Sequence, residues 1–202
     1  TQIDIPSGPS MLCRTRGMPI PLIPTTTRNP MLGAHPFWSL DVPRLDGQLL
    51  LTPCPGSQQV PMAHALAQLQ LAGAGGVLTL MTEEELALCG PLSLGQLVQA
   101  RGMSWFHLPI ADDEAPDAAF EQAWPGVQPR LLALLREGRH LAIHCHGGSG
   151  RTGLAAALLL MTQGLPQQEA MTLIRARRPR AFTLACHRHW LDTRGRRLAG
   201  AD

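Results

Sequence analysis

Between positions 144 and 153 the chain reads His144-Cys145-His146-Gly147-Gly148-Ser149-Gly150-Arg151-Thr152-Gly153. Three chemical requirements meet in that stretch. Successive backbone N–H groups in a curled loop, followed by a helix N-terminus, form a concavity suited to a dianionic phosphate. A cysteine at the mouth of the concavity feels the same positive field, which stabilises its thiolate. An arginine at the start of the helix can curl back and hold two phosphate oxygens in a bidentate grip. Cys145 is therefore the candidate nucleophile and Arg151 the candidate clamp. His146, Gly147, Gly148, Ser149 and Gly150 form the expected phosphate-binding wall together with Arg151. Thr152 can donate its hydroxyl to the sulfur, which stabilises the thiolate and helps it leave later.

A nucleophile that cleaves a phosphoester also needs a proton donor for the departing oxygen. Candidates lie in the acidic loop after Pro109-Ile110: Asp112, Asp113 and Glu114. Spacing alone does not choose among them. An inert buried thiol in a strand–helix turn is the plain competing reading, but it leaves the coincidence of Cys, glycines, Arg and Thr unexplained. A metal site from His144, Cys145 and His146, or from Cys186, His187 and His189, lacks a four-ligand set at zinc spacing. No metal and no cofactor is expected.

The elements that must position these groups follow from the pattern. Gly47–Leu51, Val77–Met81, Ser104–Pro109 and His140–His144 read as strands. Ser57 is expected to cap a helix running to about Ala72, after which Gly73–Gly76 forms a turn. Thr82-Glu83-Glu84-Glu85 is a capping box, and Ser93-Leu94-Gly95-Gln96 another, opening a helix to about Arg101. Pro116 starts a helix that Pro125-Gly126 interrupts and Gly138 ends. Helices over Gly150–Gln163, Pro166–Arg178 and Thr183–Arg197 close the chain. Strands alternating with helices predict an α/β fold with a mostly parallel central sheet flanked by helices. In such a sheet the Cys145 loop and the acidic loop leave the same edge.

Composition excludes other classes. The 202 residues suffice for one domain with a core, and a net charge of +2 gives no polyelectrolyte partner. All basic residues are Arg, so Schiff-base chemistry and a lysine-dependent Walker phosphate loop are ruled out. The lack of Lys and Tyr, with Asn29 the single Asn, reads as the codon usage of a GC-rich bacterial genome. The arginines at 175, 177, 178 and 180, like those at 194, 196 and 197, read as solvated helix ends, so no nucleic-acid partner is expected. No apolar run is long enough for a bilayer, so no membrane partner is expected either. Five cysteines without a CxxC pair point to free thiols in a reducing cytoplasm. Residues 1–30, with Pro6, Pro9, Pro19, Pro21, Pro24 and Pro30, read as an extended arm, leaving 31–202 as the catalytic domain.

His144-Cys145-x5-Arg151-Thr152 resembles the signature of cysteine-based protein tyrosine and dual-specificity phosphatases. The longer match is to the kinase-associated phosphatase type: Ile143 to Arg151, Pro109 to Asp112 with Pro116-Asp117 after it, and the region near Thr52. The resemblance runs from about Gly47 to Leu191. It implies Cys145 as nucleophile, Arg151 as phosphate ligand, His144 as the residue that orients the loop, and Asp112 as general acid ahead of Asp113. It implies a protein or peptide phosphomonoester as substrate, phosphotyrosine and also phosphoserine or phosphothreonine, cleaved through a cysteinyl-phosphate. A phosphoinositide or other small-molecule phosphatase is an alternative, weighed down by His146 and Ser149, which carry no fixed charge for extra phosphates. A non-catalytic phospho-binding module is another. Related phosphatases often carry a Gln in the last-helix region to position water, and Cys186 stands in the matching place here. Cys186 or Cys54 is also an expected partner for a reversible disulfide with Cys145.

Overall fold

The computed structural model describes residues 33–89, 94–198 and 200. The proline-rich arm and Ser93 lie outside them. Five strands form one sheet: β1 (Trp38–Asp41), β2 (Gln48–Pro53), β3 (Ala74–Thr79), β4 (Ser104–His107) and β5 (His140–Cys145). Their order is β1-β2-β5-β3-β4. β2, β5, β3 and β4 run parallel, and β1 pairs antiparallel with β2 at the edge. The helices are α1 (Met62–Leu71), α2 (Glu83–Cys89), α3 (Leu94–Ala100), α4 (Ala118–Arg136), α5 (Gly150–Thr162), α6 (Gln167–Arg177) and α7 (Ala185–Leu198).

Successive strand residues point to opposite faces, and both faces are covered. Leu49, Leu51, Leu78, Leu141 and Ile143 face the larger core with Phe120, Trp124 and the residues of α5. Their neighbours Leu50, Val77 and Ala142 face a smaller core with Leu66, Leu69, Leu94 and Val98. This is why the central strands are apolar without a break. Helix α5 is buried on every side from Arg151 to Met161, which matches its uninterrupted Leu and Ala sequence.

Four expectations are corrected. Helix α1 starts at Met62 behind Pro61, not at Ser57, whose hydroxyl donates to the Cys54 carbonyl at 2.7 Å instead of capping a helix. Strand β3 begins at Ala74, so Gly75 and Gly76 are strand residues; a Cβ on either would meet Arg139 at 2.2 Å or Leu134 at 2.8 Å. Pro125-Gly126 does not interrupt α4, which runs through both Pro125 and Pro129. Those prolines are exposed while Phe120, Trp124, Leu131 and Leu135 hold the opposite face in the core, so water can meet the freed carbonyls. Strand β1 was not expected at all. It is an edge strand of four residues, too short for a periodic signal.

The carboxyl ends of β2, β3, β4 and β5 therefore open on one edge. Chain segments just beyond them are laced together: Leu80 N–H donates to the His144 carbonyl and Ile110 N–H to the Leu80 carbonyl, each at 3.0 Å. The nucleophile loop and the acidic loop are thereby placed side by side. No helix among the described residues is long and apolar enough to cross a membrane.

Candidate active site

Cys145 is the last residue of β5 and is buried. Thr152, in the first turn of α5, donates its hydroxyl to the sulfur at 3.3 Å. A chain of hydrogen bonds with one consistent direction leads to the Cys145 backbone. The Trp105 indole N–H donates to the Thr79 hydroxyl oxygen at 2.9 Å, and Thr79 Oγ1 is 2.8 Å from Nε2 of His144. His144 Nδ1 faces the Cys145 carbonyl at 3.4 Å. A carbonyl can only accept, so Nδ1 carries the proton and Nε2 accepts from Thr79. Burial pushes the His144 pKa down to about 3, so the ring is neutral at working pH. His144 is thus held at the strand end as a neutral ring bonded to Thr79 and to the Cys145 carbonyl.

The loop from His146 to Gly150 is held from outside by its carbonyls. Cys54 N–H donates to the His146 carbonyl at 3.0 Å. Arg178 forks over the next three residues: Nη2 to the Gly147 carbonyl at 2.6 Å, Nε to the Gly148 carbonyl at 2.7 Å and Nη2 to Ser149 Oγ at 2.7 Å. In a trans peptide C=O and N–H point opposite ways. Outward carbonyls on 146, 147 and 148 turn the N–H groups of Gly147, Gly148 and Ser149 to the concave side. Gly148 has φ +67°, and a Cβ there would lie 2.4 Å from the Thr52 carbonyl. Only glycine fits. Ser149 is the N-cap of α5 but makes no side-chain cap bond, so the first amides of the helix keep no internal partner.

Arg178 is itself positioned, its guanidinium lying 3.9 Å above the Trp38 ring of β1. Burial lowers its pKa, an effect opposed by the nearby Cys145. The expectation of a solvated helix-end charge is therefore corrected for Arg178. A guanidinium in a run of four arginines carries no local sign of a loop thirty positions upstream.

Arg151 is buried to 2 % exposure. Its Nη1 and Nη2 form a two-pronged bond with Glu85 at 2.7 and 2.8 Å, and Nη1 also donates to the Ile110 carbonyl at 2.8 Å. Nη2 lies 2.8 Å from Oδ1 of Asp112. Burial works against the charge on Arg151, but Glu85, Cys145 and Asp112 outweigh it and raise the pKa further. Burial likewise works to raise the Glu85 pKa, and Arg151 with the Thr82 amide more than reverses it, leaving the carboxyl below its ordinary range. The sequence marks Glu85 as the far end of a capping box, and that box is formed, Thr82 N–H to Glu85 at 2.9 Å and Glu85 N–H to Thr82 Oγ1 at 3.3 Å. It gives no hint that the same carboxylate seats Arg151.

Of the three candidate acids, Asp112 is the one in contact with Arg151, and it is largely exposed on the solvent side. Ala111 to Glu114 form a turn closed by Glu114 N–H to the Ala111 carbonyl at 3.2 Å, with Asp113 at φ +60° in the position that needs it. Asp113 is anchored by its backbone: Cys186 Sγ donates to its carbonyl at 3.4 Å. Cys186 therefore braces the acid loop. Neither Cys186 nor Cys54, whose thiol donates to the Pro55 carbonyl at 3.6 Å, is disulfide-bonded to Cys145 in this structure. Among the described residues no three His, Cys, Asp or Glu side chains gather in a way that could hold a metal ion.

The arrangement can bind a tetrahedral oxyanion, attack it with sulfur and protonate what leaves. Comparison with known proteins agrees with that chemistry. The chain is 33 % identical over 109 residues to mouse (Mus musculus) cyclin-dependent kinase inhibitor 3, covering 54 % of this chain and 50 % of that protein. It is 30 % identical over 120 residues to protein tyrosine phosphatase PRL-1 of Leishmania major, covering 56 % of this chain and 68 % of the relative. The chain thus spans about half the length of the mouse relative that it matches. A crystal structure of kinase associated phosphatase with its catalytic-site cysteine changed to serine superposes with a TM-score of 0.73 at 25 % identity, over 83 % of this chain and 97 % of that one. The family described as the Swiss Army Knife DSP-PTPase phosphatase domain matches residues 54–192, from the start of the β2–α1 loop into α7. The chain belongs to this dual-specificity and protein tyrosine phosphatase family.

Proposed function

We propose that the chain is a protein phosphatase that hydrolyses phosphotyrosine, and also phosphoserine or phosphothreonine, through a cysteinyl-phosphate. The observation that carries the reading is the sulfur of Cys145 at the base of an amide-lined loop, with the Thr152 hydroxyl at 3.3 Å and the buried guanidinium of Arg151 in the same loop. The thiolate attacks phosphorus and the P–O bond breaks. Asp112 gives its proton to the leaving oxygen. Water then attacks phosphorus, Asp112 takes a proton back, and the P–S bond breaks to restore the thiolate. Inward amides of the loop and Arg151 meet the charge that develops on the equatorial oxygens, without rearranging at the moment of reaction.

The position of Asp112 supports it as the acid: it is the candidate carboxylate that lies beside Arg151, at 2.8 Å, with its side chain open to solvent where a leaving group can enter. His146 and Ser149 supply no fixed charge for additional phosphates, which favours a singly phosphorylated protein or peptide over an inositol polyphosphate. The free thiols of Cys145 and Cys186 suit a reducing cytoplasm.

Steady-state turnover of an aryl phosphate and a phosphopeptide panel test the reading. Cys145→Ser is expected to abolish turnover while retaining oxyanion binding. Asp112→Ala is expected to lose about 10²–10⁴-fold in kcat. Substantial turnover by Cys145→Ser sinks the nucleophile assignment, and a loss confined to Asp113→Ala moves the acid to Asp113.

A further inference from the structure

The mechanism leaves the buried imidazole of His187 unused. His187 lies in the first turn of α7 and is 1 % exposed. Its Nε2 is 2.8 Å from the Glu114 carbonyl. Since that carbonyl only accepts, Nε2 carries the hydrogen and Nδ1 is bare. Nδ1 is buried and has no partner. The Cε1–Nδ1 edge lies against Gly150, where an added Cβ would come 3.5 Å from Cε1 and 3.9 Å from Nδ1. One ring therefore touches the last residue of the acid-loop turn on one side and the first residue of α5 on the other.

That geometry has a mechanical meaning. Ala111 to Glu114 are closed into a turn, so whatever holds the Glu114 carbonyl holds Asp112 within it. A second hydrogen bond from α7 to this turn comes from the Cys186 thiol, a weak donor at 3.4 Å. Charged groups around the imidazole are Arg151 from α5 and Asp112 and Asp113 from the acid loop; on its own helix the Cys186 thiol and Arg188 flank it in sequence. Burial lowers the pKa of the ring, against the opposing effect of its bond to the Glu114 carbonyl.

We propose that His187 is a positioning residue that, through the Glu114 carbonyl, fixes the acid loop against the phosphate cradle and so governs protonation of the leaving group rather than phosphate binding. The inference rests on the phosphatase reading above. It assigns His187 no contact with substrate. Its effect must scale with how much the leaving oxygen needs a proton.

The experiment measures kcat, KM and vanadate inhibition for His187→Leu and His187→Gln on two esters: an electron-poor aryl phosphate, whose phenoxide leaves readily, and a phosphotyrosine peptide. His187→Leu is expected to lose about tenfold in kcat on the peptide and less than about threefold on the electron-poor ester, with vanadate affinity unchanged. His187→Gln, whose amide N–H can reach the same carbonyl, is expected to restore most of the peptide activity. Equal losses on both esters, a loss expressed in KM and vanadate affinity, or no loss at all overturns the proposal. Nitrogen-15 NMR of the intact wild-type protein gives a readout that needs no variant: the Nε2–H tautomer is expected at His187, and the Nδ1–H tautomer overturns it. A wild-type protein that hydrolyses neither ester overturns the phosphatase reading itself, which separates the two failures.

Discussion

Oε2 of Glu85 lies 2.9 Å from the Thr82 amide and 2.7 Å from Nη1 of Arg151. The side chain that opens helix α2 is thus also the seat of the guanidinium. Charge-assisted, two-pronged bonds of this kind are worth about 1.5–3 kcal/mol. Glu85→Gln removes the charge and turns an amide N–H toward Arg151. It is expected to lower kcat/KM by about 10–100-fold, in proportion to that energy, and to lower the melting temperature. Kinetics within twofold of wild type would show that Ile110 and Asp112 alone can seat Arg151.

Gly147 and Gly148 are adjacent, yet the space around them differs. A Cβ on Gly148 collides with the Thr52–Pro53 peptide and must adopt φ +67°, whereas a Cβ on Gly147 meets nothing within 4 Å. Gly148→Ala is expected to abolish oxyanion binding and to destabilise the fold by about 1–3 kcal/mol. Gly147→Ala is expected to cost far less on both counts. Calorimetric titration with vanadate and urea unfolding check the contrast, and equal behaviour of the two variants contradicts it.

Arg178 acts on the loop through geometry as well as charge. Lysine keeps the charge but cannot fork over the Gly147 and Gly148 carbonyls and Ser149 Oγ. Arg178→Lys is therefore expected to weaken vanadate binding by about tenfold. Trp38→Ala removes only the ring under the guanidinium, a contact worth about 0.5–2 kcal/mol. Because both changes act through one guanidinium, the double variant should lose less than the sum of the two. Strict additivity would mean that Trp38 does not position Arg178.

Stability should fall on mild acidification. Burial lowers the His144 pKa from 6.5 to about 3 in the folded state. Between those values the unfolded chain binds a proton that the folded chain refuses, so unfolding becomes easier as pH drops from about 6.5, and the stability is intact above it. The slope from one such histidine approaches about 1.4 kcal/mol per pH unit. His35 and His187, whose pKa values burial also lowers, act in the same sense. Urea midpoints should decline from pH 7.5 to pH 5, and less steeply in His144→Asn. A flat profile would count against a neutral, buried His144.

Local order made part of the site legible. Cys145, the glycine-rich loop, Arg151 and Thr152 are contiguous, so their chemistry can be read from one decapeptide. The central parallel strands were legible because both faces are covered and each carries an apolar run, Leu49–Leu51 in β2, Val77-Leu78 in β3 and Leu141–Ile143 in β5. What escaped depends on distance along the chain. Glu85 meets Arg151 across 66 positions, and its capping role was visible while its second partner was not. Arg178 looked like any helix-end cation until the loop 31 positions before it was folded against it. Pro125-Gly126 read as a helix break because propensity is local, whereas the stripe Phe120, Trp124, Leu131 and Leu135 that keeps α4 whole is a tertiary effect.

Trp38 supports Arg178 from a strand that lies upstream of the region shared with the family, which begins at residue 54. Expression boundaries drawn at that point would delete β1 and β2 together. Strand β5, which ends in the nucleophile, would become a raw sheet margin inviting intermolecular pairing. Gly148 would lose the peptide it rests on, and Arg178 its aromatic shelf. For this chain the smallest useful recombinant fragment must begin before the histidine at 35, whose ring lies 2.7 Å from the Thr52 hydroxyl at the root of the cradle.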